Sequence, residues 1–110
     1  MKERVLQLNE LIKRDLGAII SKEIELPDGC LVTVTRVQTT PDIKIAKIFI
    51  SVLPENFRGT VLEILRKNNK NLHNQLKKQL KTKFTPNLQF LIDEQQAYAN
   101  EIEKLLDEIK

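Results

Sequence analysis

The chain reads as an α+β domain in which helices cover one face of a three-stranded mixed sheet, in the order α-β-β-α-α-β-α. Three observations predict it. Two runs rich in β-branched residues, 31–39 and 44–53, are parted only by Thr40-Pro41-Asp42-Ile43 and so form an antiparallel hairpin. Two helical patterns with no strand between them lead to a third alternating run, 87–93, which that long crossover places parallel to the second. Apolar stripes at helical spacing open and close the chain. At 110 residues this is one domain, 1–110, with a last helix of about 94–109.

In the first helix the apolar positions are 5, 8, 12, 16, 19 and 20, and the pattern stops near Lys22. Gly17 interrupts it, which suggests close packing of another element there. Pro27-Asp28-Gly29 is a turn, because proline presets φ and glycine supplies a positive one. In the first strand the alternation slips around Arg36-Val37, as a bulge would make it. The second strand puts Ala46, Ile48, Ile50 and Val52 on one face and is the natural centre of the sheet. Asp42 is a turn residue. After Gly59, Thr60-x-x-Glu63 predicts a capping box, and Val61, Leu62, Ile64 and Leu65 follow as the inward side of a helix. Asn68-Asn69 is poor helix interior and marks a kink. Pro86 drives Thr85 out of the α region and ends the helix beyond it. In the last helix the stripe is Tyr98, Ile102, Leu105, Leu106 and Ile109, with Asp93-Glu94 at its N-terminus.

The most informative stretch runs from Arg66 to Lys83. It carries basic residues at 66, 67, 70, 77, 78, 81 and 83 and no carboxylate. At about 100° per residue Lys70, Lys77 and Lys81 share one meridian with Asn74, opposite Leu72, Leu76 and Leu80. One reading is a solvated face; the other is a face for an anionic partner. The net charge is only +3, but its distribution is uneven: Glu101, Glu103, Asp107 and Glu108 make the last helix acidic.

Enzyme chemistry finds no footing. His73 is the sole histidine, and the three glycines, 17, 29 and 59, are isolated, so no phosphate-cradling loop exists. The single Cys30 allows no internal disulfide and fits a reducing compartment, with packing as its role. No metal, cofactor or catalytic residue is expected. No apolar run approaches the ~20 residues that span a bilayer, and a cytoplasmic protein is expected.

Taken with this element order, the chain resembles the ribosome-binding factor A family, whose fold is KH-like of the second type. The match rests on Arg4-Val5, on Val32-Thr33-Val34-Thr35-Arg36-Val37, and on Thr40-Pro41-Asp42-Ile43 with Ala46-Lys47-Ile48-Phe49-Ile50-Ser51. It continues in Lys83-Phe84-Thr85-Pro86-Asn87-Leu88-Gln89-Phe90-Leu91-Ile92-Asp93. Two positions depart: the family's Ala-x-Gly kink is Asn68-Asn69-Lys70 here, and an arginine common after it is His73.

The resemblance implies a monomer that binds 16S rRNA within free, immature 30S subunits. It also implies late maturation of that subunit, including the 5′ region of 16S rRNA, and importance in the cold. The candidate RNA contacts are then Arg66, Lys67, Asn68, Asn69, Lys70, His73, Asn74, Lys77, Lys78, Lys81 and Lys83, joined by Arg4, Lys13 and Arg14 of the first helix. With aromatics at 5%, recognition by shape and phosphate is expected rather than base stacking of the RRM kind. The alternatives are a generic KH-like RNA-binding module, or a protein-interaction domain that uses the acidic last helix. A pull-down of assembling subunits against bulk RNA separates the first of these.

Overall fold

The central strand organises the sheet. A computed structural model describes residues 2–95. In it α1 (Lys2–Glu23), β1 (Leu31–Thr39) and β2 (Ile45–Leu53) are followed by α2 (Arg58–Lys67), α3 (Asn69–Leu80) and β3 (Asn87–Ile92). β2 lies between the other two strands, antiparallel to β1 and parallel to β3. Its inward side chains Ala46, Ile48, Ile50 and Val52 are essentially buried, as their alternation predicts. They meet Ile12, Leu16 and Ile20 of α1, Val61 and Leu65 of α2, and Leu72 and Leu76 of α3 in one core.

The slip in β1 is a real bulge. Val34 faces Ile50 and Arg36 faces Phe49, so Thr35 is the extra residue. Strict alternation would send Val34 and Val37 to opposite faces; with one residue inserted, both are buried in the core. Thr35 and Arg36 are re-aimed together. The Thr35 hydroxyl donates to Asp93 Oδ2, and Arg36 Nε lies 3.4 Å from the same oxygen, a charge contact rather than a hydrogen bond. The Arg36 guanidinium also stacks 3.9 Å above the Phe49 ring. Asp93 is buried, and Glu94 and Gln95 after it are helical. The rest of the predicted last helix, with its apolar stripe and its acids, lies outside the described residues.

Three expectations need correcting. α2 begins at Arg58, before the predicted capping box, and no side chain caps it. A 3-10 turn, Glu55–Phe57, runs straight into the helix, and the Phe57 and Arg58 amides bond to the Pro54 and Glu55 carbonyls. The helix therefore starts two residues before Thr60, which falls inside it, and Glu63 pairs instead with Lys67 one turn on. Lys81 is not on the helix: it is the left-handed cap residue, φ 55°, that ends α3. Gly17 mediates no close approach, since a Cβ placed there meets nothing within 4 Å among the described residues.

The kink falls at Asn68, as the sequence predicts, with φ −95° and ψ 9°. Its side-chain amide donates to the Ile64 carbonyl at 2.8 Å, while Leu72 N–H bonds to its own carbonyl at 2.9 Å. None of Asn68, Asn69 and Lys70 takes a positive φ. Glycine's freedom is therefore not needed here.

The hairpin turn is held by side chains. Thr40 Oγ1 donates to Asp42 Oδ1 at 2.6 Å, and the same carboxylate oxygen accepts from Lys44 N–H at 3.1 Å. The Thr40 bond first, then the Lys44 amide, holds the Asp42 carboxyl below its ordinary value of 3.8. A depressed carboxylate contributes stability that is complete above the unfolded-state pKa and lost as pH falls through the folded one. An NMR titration should therefore place the Asp42 midpoint below 3.8, and Asp42→Asn should remove that acid-side loss. Gly17→Ala should raise stability by about 1 kcal/mol in urea unfolding, because helix propensity improves and the space is open.

Candidate nucleic-acid interface

Which way the helix pair faces is settled by β3. The Asn87 and Asp93 amides bond to the Lys44 and Ile50 carbonyls of β2, so odd-numbered residues of β3 point their backbone inward. Leu88 and Phe90 therefore turn their carbonyls to the free edge of the sheet. Asn69 Nδ2 donates to the Leu88 carbonyl at 2.9 Å, and Arg66 Nη2 to that of Phe90 at 3.2 Å. His73 sets Nε2 3.2 Å from the Thr85 carbonyl, where an N–H at that atom donates to it. Positions 66, 69 and 73 recur at i, i+3 and i+7 and so share one side of the kinked pair. Three of the candidate RNA residues are thus engaged with the edge of the sheet, and Asn68 is engaged with Ile64.

The remaining sides of α3 are allotted in turn. Leu72 and Leu76 enter the core. Gln75 and Gln79 face α1 across a shallow groove they share with Asp15, Ile19 and Lys22. Lys70, Asn74, Lys77 and Lys78 are left exposed, with Lys81 and Lys83 continuing beyond the helix. Among the described residues no carboxylate lies within ion-pair distance of any of these five lysines. The pairs that do form are Arg14–Asp15, Arg36–Asp93, Arg58–Glu55 and Lys67–Glu63. Lys67 and Glu63 are both largely exposed, so their 3.4 Å contact holds the lysine only weakly.

The three basic residues predicted from α1 do not join this face. Lys13 and Arg14 line a groove against β1, together with Glu10 and Gly17, on a different side of α1 from the one that meets α3. Arg4 meets Lys83 at a separate notch beside Phe84. Sequence reasoning does not single out Phe84, whose ring is largely exposed at this notch; its only signal there is an aromatic next to a lysine in the loop before Pro86. Cys30 is half-buried against the core, and burial pushes its thiol up, which suits packing. No group of side chains able to hold a metal gathers among the described residues, and none of their helices is long and apolar enough to cross a membrane.

The arrangement offers point charges on a rigid helix. Lysine ammonium groups neutralise phosphates without reading sequence, and each contact releases counterions. Lys77 and Lys78 also sit at the C-terminal turn, where the helix dipole favours positive charge.

Comparison with known proteins agrees with this architecture. The family model described as ribosome-binding factor A matches residues 4–106. A ribosome-binding factor A of Thermodesulfovibrio yellowstonii is 36% identical over 108 residues, covering 98% of this chain and 92% of that protein. The crystal structure of ribosome-binding factor A from Thermus thermophilus superposes with a TM-score of 0.69 at 23% identity, over 80% of this chain and 93% of that one. A Thermus thermophilus homology model, fitted into a cryo-EM map of a complex of the 30S subunit with ribosome-binding factor A, gives 0.67 at 24% identity, over 76% and 88%. Those two structures share the fold described above. With nearly its whole length matched at 36% identity and by the family model, the chain belongs to the ribosome-binding factor A family.

Proposed function

We propose that this protein binds the immature small (30S) ribosomal subunit as a monomer in the cytoplasm. There it promotes late maturation, including processing of the 5′ region of 16S rRNA, and it matters most in the cold. The observation that carries the proposal is the exposed lysine face of α3 and its continuation, Lys70, Lys77, Lys78, Lys81 and Lys83, which makes no ion pair among the described residues. Family membership supplies the target. A relative's homology model has been fitted into a map of its 30S complex, which supports the small subunit as the partner here.

Lys77 and Lys81 are exposed and make no ion pair among the described residues, so they can be changed without opening the core. Lys77→Glu and Lys81→Glu together should shift the tagged protein away from the small-subunit peak in sucrose-gradient sedimentation. They should also lower the slope of log affinity against log salt by about 1–2. Stability should fall by no more than about 1 kcal/mol, chiefly because a glutamate at 77 opposes the helix dipole. Undiminished co-sedimentation of the double variant would show that the subunit is held by another face.

A further inference from the structure

Three segments remote in sequence converge beyond the C-terminal end of α3. The first half of α1, the tip of the β1–β2 hairpin and the loop after α3 enclose an open notch of about 380 Å³. Its apolar wall is Leu8, Leu11 and Ile43, and its rim carries Arg4 and Lys83. Among the described residues no carboxylate lines it. Phe84 stands beside this wall with 67% of its surface exposed, and Lys83 Nζ lies 5.6 Å from its ring centroid. The loop is ordered by the Thr82 hydroxyl, which donates to the Phe84 carbonyl at 2.9 Å. Ile43 holds φ at 60°, a region a β-branched residue rarely enters, and its side chain packs against the core.

A large aromatic ring left in water, in a notch with an aliphatic wall and two cations on its lining, suits one ligand chemistry. The ligand must offer a flat apolar face and carry negative charge on both sides of it. An unpaired nucleotide does: its base stacks on an aromatic ring, and its flanking phosphates meet basic side chains. An extended peptide has less to hold, because none of the lining residues belongs to a strand and the notch presents no strand edge to pair with. The position also fits. Lys81 ends α3 and Lys83 follows it, so an RNA backbone tracking the lysine face is delivered to Phe84.

We propose that this notch takes a single unpaired nucleobase of a single-stranded RNA segment, stacked on Phe84, with Arg4 and Lys83 against the phosphates on either side. This rests on the reading of the protein as an rRNA binder and adds to it a site that distinguishes unpaired from paired RNA.

The test uses the full chain with labelled oligouridine, and with duplex RNA of equal phosphate count. Phe84→Ala should weaken oligouridine binding about tenfold and leave duplex binding within about twofold, while Phe84→Trp should bind oligouridine as the natural protein does. In the Trp variant, oligouridine should quench the fluorescence of the new ring. Equal loss on both RNAs would overturn the base site, and so would no loss at all for Phe84→Ala. If Phe84→Ala instead lost co-sedimentation with small subunits while keeping its oligouridine affinity, the notch would be a protein contact and the proposal wrong. In those cases a salt-dependent loss on charge reversal at Lys77 and Lys81 would leave the rRNA reading standing. Failure of the unaltered protein to bind either RNA would remove both.

Discussion

The free edge of β3 is the constraint on which the rest of the structure depends. A strand with one unpaired side exposes carbonyls that need donors, and an uncovered edge invites pairing with other chains. Asn69 and Arg66 answer the Leu88 and Phe90 carbonyls, and His73 approaches that of Thr85. Once these are in place, the helix pair can no longer turn about its own axis. Leu72 and Leu76 must then face the core, Gln75 and Gln79 must face α1, and the lysines are what remains for water. The cationic face is therefore set by how the sheet is closed, and is held as rigidly as the sheet edge itself.

A second tie joins β1 to the residue that follows β3. The inserted Thr35 lets β1 bury Val34 and Val37 together and sends the Thr35 hydroxyl and the Arg36 guanidinium toward Asp93. The Thr35 hydroxyl also lies 3.1 Å from the Phe49 carbonyl, so one side chain reaches both the central strand and the residue that follows β3. The buried carboxylate gains a hydrogen bond and a cation, which is what a charged group needs to leave water. In this way the outer strands are joined over the central one. The chain beyond Asp93 starts from that anchor.

The kink forms here without the glycine of the family pattern. Ala-x-Gly suggests a backbone that requires glycine, yet Asn68 reaches the bend at φ −95° by giving its side-chain amide to Ile64. A side chain that competes for backbone carbonyls is a defect inside a helix and an asset at a bend. The predicted capping box fails for a related reason. Thr60 and Glu63 have the right spacing, but the 3-10 turn at Glu55–Phe57 runs directly into α2 and starts it at Arg58, so Thr60 lies inside the helix. Spacing alone does not say whether a site for a cap is vacant.

Periodicity makes most of the fold legible. β-branched runs locate the first two strands and apolar alternation the third, the short turn dictates the antiparallel pair, and the two-helix crossover dictates the parallel one. The candidate site is legible as an inventory of charge and not as a surface. Lys13 and Arg14 group with α3 only because they are basic, and the packing of α1 turns them toward β1. Arg66 and Asn69 read as free polar side chains in the sequence, yet each gives a hydrogen bond to a β3 carbonyl, and His73 reaches the Thr85 carbonyl in the loop before that strand. Local pattern determines local structure, because helix and strand arise from residues a few positions apart. By itself, then, the amino-acid order determined the elements, their pairing and the supply of lysines. Only the tertiary structure decided which polar side chains are spent on the protein's own backbone and which are left for a partner. The groups that compete for them, such as Thr35 and Asp93, meet across 58 positions of chain.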